Sequence, residues 1–342
     1  MCSGREDFSL SIGTCGELEL GDVQSSQVID LLVVCHESTT YELNVPISLR
    51  TMKLPSQTIP SRALDAEFGV EIHDIDLVET LASPESLAAL ERALTEHHVV
   101  VIRDQRLEVG DVVAVSRCFG ELEPHVLDRY HHPQTPLVLV LSNRVDEQGR
   151  PLGLRDAGSF WHSDVSFKAC PAKATLLYAL EVPDEGGDTL FCDMQAAYDA
   201  LRDDLKGTLE GLMAVHDYVN RDRVAHRTGT VPRLDKDHLR AVPPVLHPVV
   251  RSHPVSGRKA IYVNPTYTVR IDGVDAAKSH ALLEKIFEHC REARFQMRYR
   301  WRAGDVVVWD NAAVMHAATT QDLDPSMYRT LWRTIIVGGP TH

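Results

Sequence analysis

The chain has 342 residues, 44% hydrophobic and 25% charged, an ordinary balance for a globular protein of one large domain or two small ones. Its 49 acidic and 35 basic residues give a formal net charge of -14, which repels phosphate polymers and anionic lipid, so neither nucleic acid nor a membrane is an expected partner; buried arginines would still hold a small anion. Seven scattered cysteines form no CxxC pair, and no basic leader or apolar run of membrane-spanning length is visible, which points to a cytoplasmic protein with reduced thiols.

Residues 1–57 read differently from the rest. They hold three of the seven cysteines and two β-like runs, Val28–Cys35 and Tyr41–Leu49; an extended start follows at Pro55–Ile59. This segment is expected to be an extension of a domain spanning 58–342, or a product of start-codon choice, with Met52 an alternative start. Ser83-Pro84-Glu85 then opens a helix, with a serine cap, proline at the first helical position and an acid in the first turn. Leu87, Leu90 and Leu94 follow at helical spacing. Val99–Ile102 reads as a strand, Glu108–Cys118 as a helix, Leu137–Leu141 and Ala174–Leu180 as buried strands, and Asp193–Leu201 as a helix. The segment 217–260, rich in Pro, Arg and His, reads as a long excursion of the kind that serves as a lid. The longest helix is expected over Asp275–Arg291, with Leu282, Ile286 and Cys290 on one stripe. Strands at Phe295–Arg300, Val306–Trp309 and Leu331–Val337 close the chain. A β-rich core with helices packed outside fits this order.

Trp161-His162-Ser163-Asp164 is the first chemical signal. On a strand, residues i and i+2 share a face, so His162 and Asp164 would present an imidazole and a carboxylate side by side. His316, just beyond the strand Val306–Trp309, is the best candidate for a third ligand. Two histidines and one carboxylate on one face leave coordination positions open, which suits non-haem iron(II) oxygenases. With 17 histidines in the chain, a His-x-Asp tripeptide carries little weight alone. The pairs His97-His98 and His131-His132 read as solvent-facing or packing residues.

Further motifs accompany these residues in order: Gly186-Gly187-Asp188-Thr189-Leu190-Phe191, Trp309-Asp310-Asn311, and Arg329 with Arg333 before Ile335-Ile336-Val337-Gly338. From about Phe68 to Gly339 the chain strongly resembles the TauD/TfdA family of Fe(II)/2-oxoglutarate-dependent dioxygenases, which includes taurine and aryloxyalkanoate dioxygenases. The resemblance implies a mostly β fold with flanking helices, a double-stranded β-helix of the jelly-roll, cupin-like kind. It implies that His162, Asp164 and His316 hold Fe(II), with 2-oxoglutarate and O2 as co-substrates. Arg329 and Thr189 match the family's arginine and threonine for the distal carboxylate of 2-oxoglutarate. Gly186-Gly187 reads as a tight turn between strands.

The implied reaction hydroxylates a C–H of a small, anionic substrate while 2-oxoglutarate becomes succinate. Asp164 favours hydroxylation, since related halogenases carry a small residue there. Arg333 lies four residues after Arg329, so on a strand both would face into the barrel. Arg333 and His125 match substrate-contacting residues of the family. Asp156-Ala157-Gly158-Ser159-Phe160 lacks the asparagine that taurine dioxygenase uses before its Trp-His motif. A larger, more apolar acid of the aryloxyalkanoate or sulfonate kind is therefore expected, or a secondary-metabolite or amino-acid-derived substrate. A homo-oligomer, dimer or tetramer, is also expected. A zinc hydrolase and a non-enzymatic cupin-like binding protein are the rival readings.

Overall fold

The computed structural model describes residues 31–34, 40–43 and 59–342, apart from 156, 226–238, 241, 322 and 325. The chain divides into two units, Met1–Ser56 and Gln57–His342. In the first, β1 (Leu31–Val34) pairs antiparallel with β2 (Thr40–Leu43). β1 falls inside the expected run Val28–Cys35, and β2 begins one residue before the expected run Tyr41–Leu49. The remainder of those runs, Met52 and residues 55–58 lie outside the described residues, as does Asp156.

The second unit opens with β3 (Ser61–Ala63), β4 (Val70–Ile72) and the short α1 (Leu77–Thr80). Next come α2 (Pro84–His97), β5 (Val99–Ile102) and α3 (Val109–Arg117). Local chemistry explains the ends of these helices. Ser83 Oγ accepts the Ser86 N–H at 3.2 Å, and His98, at φ 66, stops α2 in the left-handed region. The Asp111 carboxylate accepts the Glu108 N–H at 2.8 Å. The edge strand β6 (His131–His132) and its neighbour β7 (Thr135–Ser142) follow, then β8 (Ala172–Glu181) and β9 (Thr189–Asp193). Helices α4 (Met194–Asp199) and α5 (Asp203–Leu209) lead to β10 (Met213–His216) and α6 (Tyr218–Ala225).

The expected excursion is partly regular structure: β11 (Val245–Pro248), β12 (Val250–Ser252) and β13 (Lys259–Ile261) lie within it or at its end. β11 joins a small sheet with β10 and β14 (Thr268–Ile271). Strands of three or four residues are too short for a hydrophobic period to emerge from sequence. The chain ends with α7 (Ala276–Cys290), β15 (Gln296–Tyr299), β16 (Val306–Asp310), β17 (Val314–Ala318) and β18 (Thr330–Val337). Asp275 and Arg291, the expected limits of the long helix, are the caps of α7. Its buried stripe is Leu283, Ile286, Phe287 and Cys290, with Leu282 at the margin rather than in the stripe.

An eight-stranded sheet, in the order β3-β4-β5-β16-β8-β18-β7-β6, forms one wall of the double-stranded β-helix. A three-stranded sheet, β15-β9-β17, lies across from it. Val99, Val101, Leu177, Val307, Trp309 and Leu331 from the large sheet meet Phe191 of β9 in the interior core. The alternate residues Val100, Ile102, Leu176, Val306, Val308 and Ile336 face outward under Leu90 and Leu94 of α2 and Val112 and Val115 of α3. Both faces of the central strands are thus covered, which is why Val99–Ile102 is an unbroken apolar run rather than an alternating one. Among the described residues no helix is long and apolar enough to cross a membrane.

This layering makes Leu90, 2% exposed, a stability residue remote from the chemistry. Leu90→Ala is expected to cost about 2–5 kcal/mol, against about 1 kcal/mol for removing the cap in Ser83→Ala. Urea unfolding of both variants checks the order; a Leu90→Ala midpoint no lower than that of Ser83→Ala contradicts the packing described.

Candidate active site

In β17, His316 lies opposite Phe191 of β9. On its other side, His316 and His162 exchange both backbone hydrogen bonds: the His162 N–H donates to the His316 carbonyl at 2.9 Å, and the reverse bond is 2.8 Å. A pair bonded in this way puts both side chains on one face, here with ring centroids 4.2 Å apart. The expected strand through His162 and Asp164 is therefore only this single bridge. From Asp164 the chain turns, and Val165 adopts φ 59, a left-handed conformation that costs a β-branched residue roughly 1–3 kcal/mol.

Asn311 holds that turn. Its Oδ1 accepts the Asp164 N–H at 3.2 Å, and its carbonyl accepts the Ser163 hydroxyl at 2.8 Å. Its Nδ2 donates to Thr175 Oγ1 at 3.0 Å, and the Thr175 hydroxyl in turn donates to Asp164 Oδ2 at 2.7 Å. The carboxylate is thus oriented from a barrel strand and from the β16–β17 turn at once. Gly158, at φ 73, packs on the other side of His162; a Cβ there would stand 2.9 Å from the imidazole Cε1.

Asp164 Oδ1 lies 3.5 Å from His162 Nε2, and Asp164 Oδ2 lies 3.6 Å from His316 Nε2; one donor atom from each residue falls within 4.8 Å of the others. All three side chains are buried. The His162 Nδ1 proton goes to the Phe160 carbonyl at 2.7 Å, which leaves the Nε2 lone pair free. Burial opposes the charge on Asp164, yet His316, Arg333 and His162 hold its carboxyl well below the usual range. Burial, helped by His162, pushes His316 down to about 3. An anionic carboxylate beside the neutral His316 imidazole, with the Nε2 of His162 turned toward it, suits metal binding, so the residues fit a divalent ion.

The other expected residues fall into two neighbouring sites. Arg329, just before β18, lines an open cleft of about 360 Å³, its mouth included, with Asn143, Arg155 and Thr320. Its Nε donates to the Gly187 carbonyl at 2.9 Å, and its guanidinium carbon lies 5.8 Å from the centre of the Trp301 ring. Gly187 has φ 66, and a Cβ there would approach Arg329 Cδ to 2.9 Å, so the turn before β9 needs glycine. Thr189 lines neither cavity. Its Oγ1 accepts the Trp301 indole N–H at 3.0 Å, which keeps its own proton available to donate. Burial lowers Arg329 to about 10, with Asp188 opposing, so it stays cationic at neutral pH.

Arg333 and His125 line a second cavity, of about 580 Å³ with its open mouth, together with His162 and Asp164. Leu154 and Ala157 belong to both cavities. Arg333 NH1 lies 3.4 Å from Asp164 Oδ1. Odd-numbered residues of β18 face the interior: Leu331 and Ile335 belong to the inner core, and Ile336 to the outer one. Arg329 and Arg333 share that parity, as expected. Burial, then Arg333 and Arg221, lower the His125 imidazole well below its usual range, so it is neutral at neutral pH. Sequence reasoning missed Thr175, Trp301 and the cavity walls Phe167, Tyr218, Arg221 and Tyr267. Thr175 alone left a signal, as a polar residue on the inward face of an otherwise apolar strand.

The model of the family described as "Taurine catabolism dioxygenase TauD, TfdA family" matches residues 60–335. The alpha-ketoglutarate-dependent 2,4-dichlorophenoxyacetate dioxygenase of Cupriavidus pinatubonensis is 36% identical over 276 residues, 78% of this chain and 94% of that protein. The (S)-phenoxypropionate/alpha-ketoglutarate-dioxygenase of Sphingobium herbicidovorans is 30% identical over 279 residues, 81% of this chain and 94% of that one. Among solved structures, AAD-2 in complex with Mn(II) and N-oxalylglycine superposes with a TM-score of 0.69 at 30% identity, over 83% of this chain and 100% of that one. A taurine dioxygenase from Burkholderia xenovorans gives 0.68 at 32%, over 83% and 91%. With the family matched over most of its length, this chain belongs to the TauD/TfdA family and is a dioxygenase that depends on a metal, O2 and 2-oxoglutarate, the alpha-ketoglutarate of its relatives' names.

Proposed function

We propose that the chain hydroxylates a C–H bond of a small anionic organic acid, of the aryloxyalkanoate or sulfonate class, with Fe(II) held by His162, Asp164 and His316. The observation that carries this reading is one cavity lined by His162, Asp164, Arg333 and His125, with His316 Nε2 3.6 Å from Asp164 Oδ2 behind them. Relatives named for 2,4-dichlorophenoxyacetate and for phenoxypropionate support the substrate class. Aromatic walls at Phe167, Tyr218 and Tyr267 suit a ring better than a short alkyl chain. Residues 58–342 carry the activity in this reading, and 1–57 are an extension of it. The enzyme is cytoplasmic and a homo-oligomer, dimer or tetramer. Membership of the family removes the ground for the hydrolase and binding-protein readings.

Each side chain then has a task. His162 and His316 offer neutral nitrogen donors, and Asp164 supplies the one negative charge. Thr175 and Asn311 keep the carboxylate turned toward the histidines. Arg329 grips the distal carboxylate of 2-oxoglutarate, and the Thr189 hydroxyl adds a neutral donor beside it. Arg333 and His125 receive the anionic head of the substrate and set which carbon lies nearest the metal. The bound iron supplies oxygen activation coupled to decarboxylation of 2-oxoglutarate to succinate. Succinate release from a panel of aryloxy acids, sulfonates and amino-acid derivatives, each with Fe(II) and 2-oxoglutarate, tests the substrate class; turnover confined to uncharged compounds overturns it.

Two variants probe the metal site. Asp164→Ala is expected to abolish hydroxylation, and unchanged anaerobic Fe(II) titration with full turnover removes Asp164 from the ligand set. Thr175→Val, of nearly equal volume, should lower metal affinity or activity about 10–100-fold, as loss of an orienting partner does. For the co-substrate, Arg329→Ala should weaken 2-oxoglutarate binding by about 1.5–3 kcal/mol or more. Saturation of the anaerobic complex at the wild-type 2-oxoglutarate concentration contradicts that role.

A further inference from the structure

The substrate cavity contains a second cation, Arg221, on the first turn of α6. Its placement is well braced. Tyr218, 1% exposed, packs edge-on against Phe167 with centroids 4.7 Å apart. Asn220 Nδ2 donates to the Thr266 carbonyl at 3.1 Å and ties α6 to the turn that carries Tyr267. From this anchored turn Arg221 NH1 donates to the Tyr218 hydroxyl at 2.8 Å, with its guanidinium carbon 5.3 Å from the ring centre. Among the described residues Arg221 makes no ion pair, its one hydrogen bond being that to the neutral phenol.

The cavity's charges are unevenly matched. Asp164 is the carboxylate that lines it, and Arg333 already stands 3.4 Å from that group. An anion held by Arg333 alone would sit beside the Asp164 charge and be repelled by it. Arg221 lines the same cavity and makes no ion pair among the described residues, and its charge, like that of Arg333, lowers the His125 imidazole. A partly buried cation without a counterion is costly unless a ligand brings one.

We propose that Arg221 is a substrate-binding residue that, with Arg333 and His125, cradles the carboxylate or sulfonate head of the substrate. This rests on the anionic-substrate reading above and adds a residue from outside the barrel to it. The head site is then built jointly by β18 and α6, and selection for an acid over its ester depends on both.

The test is calorimetric titration of the anaerobic enzyme, loaded with Fe(II) and 2-oxoglutarate. The probes are 2,4-dichlorophenoxyacetate, its methyl ester and hexanesulfonate. Arg221→Gln should weaken the preferred anion roughly tenfold or more and leave the ester within about twofold. Arg221→Lys should recover much of the loss, and 2-oxoglutarate affinity should not change in either variant. Equal weakening of acid and ester would make Arg221 a shape residue and overturn the proposal, as would an unchanged anion affinity in Arg221→Gln. A loss confined to 2-oxoglutarate would assign Arg221 to the co-substrate instead. If the wild-type enzyme binds neither anion better than the ester, the anionic-substrate reading falls together with this one; if it prefers the anions and Arg221→Gln keeps that preference undiminished, only this one falls.

Discussion

Two backbone hydrogen bonds, between His162 and His316, are the constraint on which the site depends. They join a loop to a barrel strand across more than 150 residues of chain, and they place two imidazoles on one face before any metal is involved. The rest follows from that register. A turn beginning at Asp164 brings the carboxylate back between the rings, and the strained φ of Val165 is tolerated because Asn311 and Thr175 grip the turn from two sides. Because the strand bearing His316 and the strand bearing Thr175 belong to opposite walls of the barrel, the triad is fixed relative to the whole core.

The barrel also sets what can be polar inside it. Inward positions of the large sheet are mostly apolar; among the polar ones, Thr175 and Arg333, with Arg329 just before β18, lie near the two cavities, while Glu71 on β4 is paired with Arg103. A charge in such surroundings is tolerated where it is paired or where a ligand completes it. Thr175 is fully bonded, and Arg333 has Asp164. The Arg329 guanidinium has the Gly187 carbonyl and the face of Trp301, with the charge of Asp188 acting on it, and no ion pair among the described residues. The buried Nε of Arg333 and Nδ1 of His316 have no protein partner among the described residues. Unsatisfied groups of this kind, gathered in one place, mark where the molecule gives up stability for binding.

Elements with strong local signals were legible in the linear chain. Caps and apolar spacing placed the start of α2 and both ends of α3 and α7 to within a residue, and the apolar runs placed β5, β7, β8, β16 and β18. The gathering of His162, Asp164 and His316 and the parity of Arg329 and Arg333 were legible too, because ordered motifs and even spacing are properties of a linear chain. Only the tertiary structure decided the rest. Strands β9 and β17 are short and covered on both faces, so they show no alternation, and the bridge between His162 and His316 pairs residues that no local pattern relates. The roles of Thr175, Trp301 and Arg221 arise from neighbours far away in sequence, through a hydroxyl on a carboxylate, an indole on a threonine and a helix turn beside a barrel mouth. Local propensity acts over a few bonds, whereas a binding site is made of contacts between segments that meet only after the core has closed.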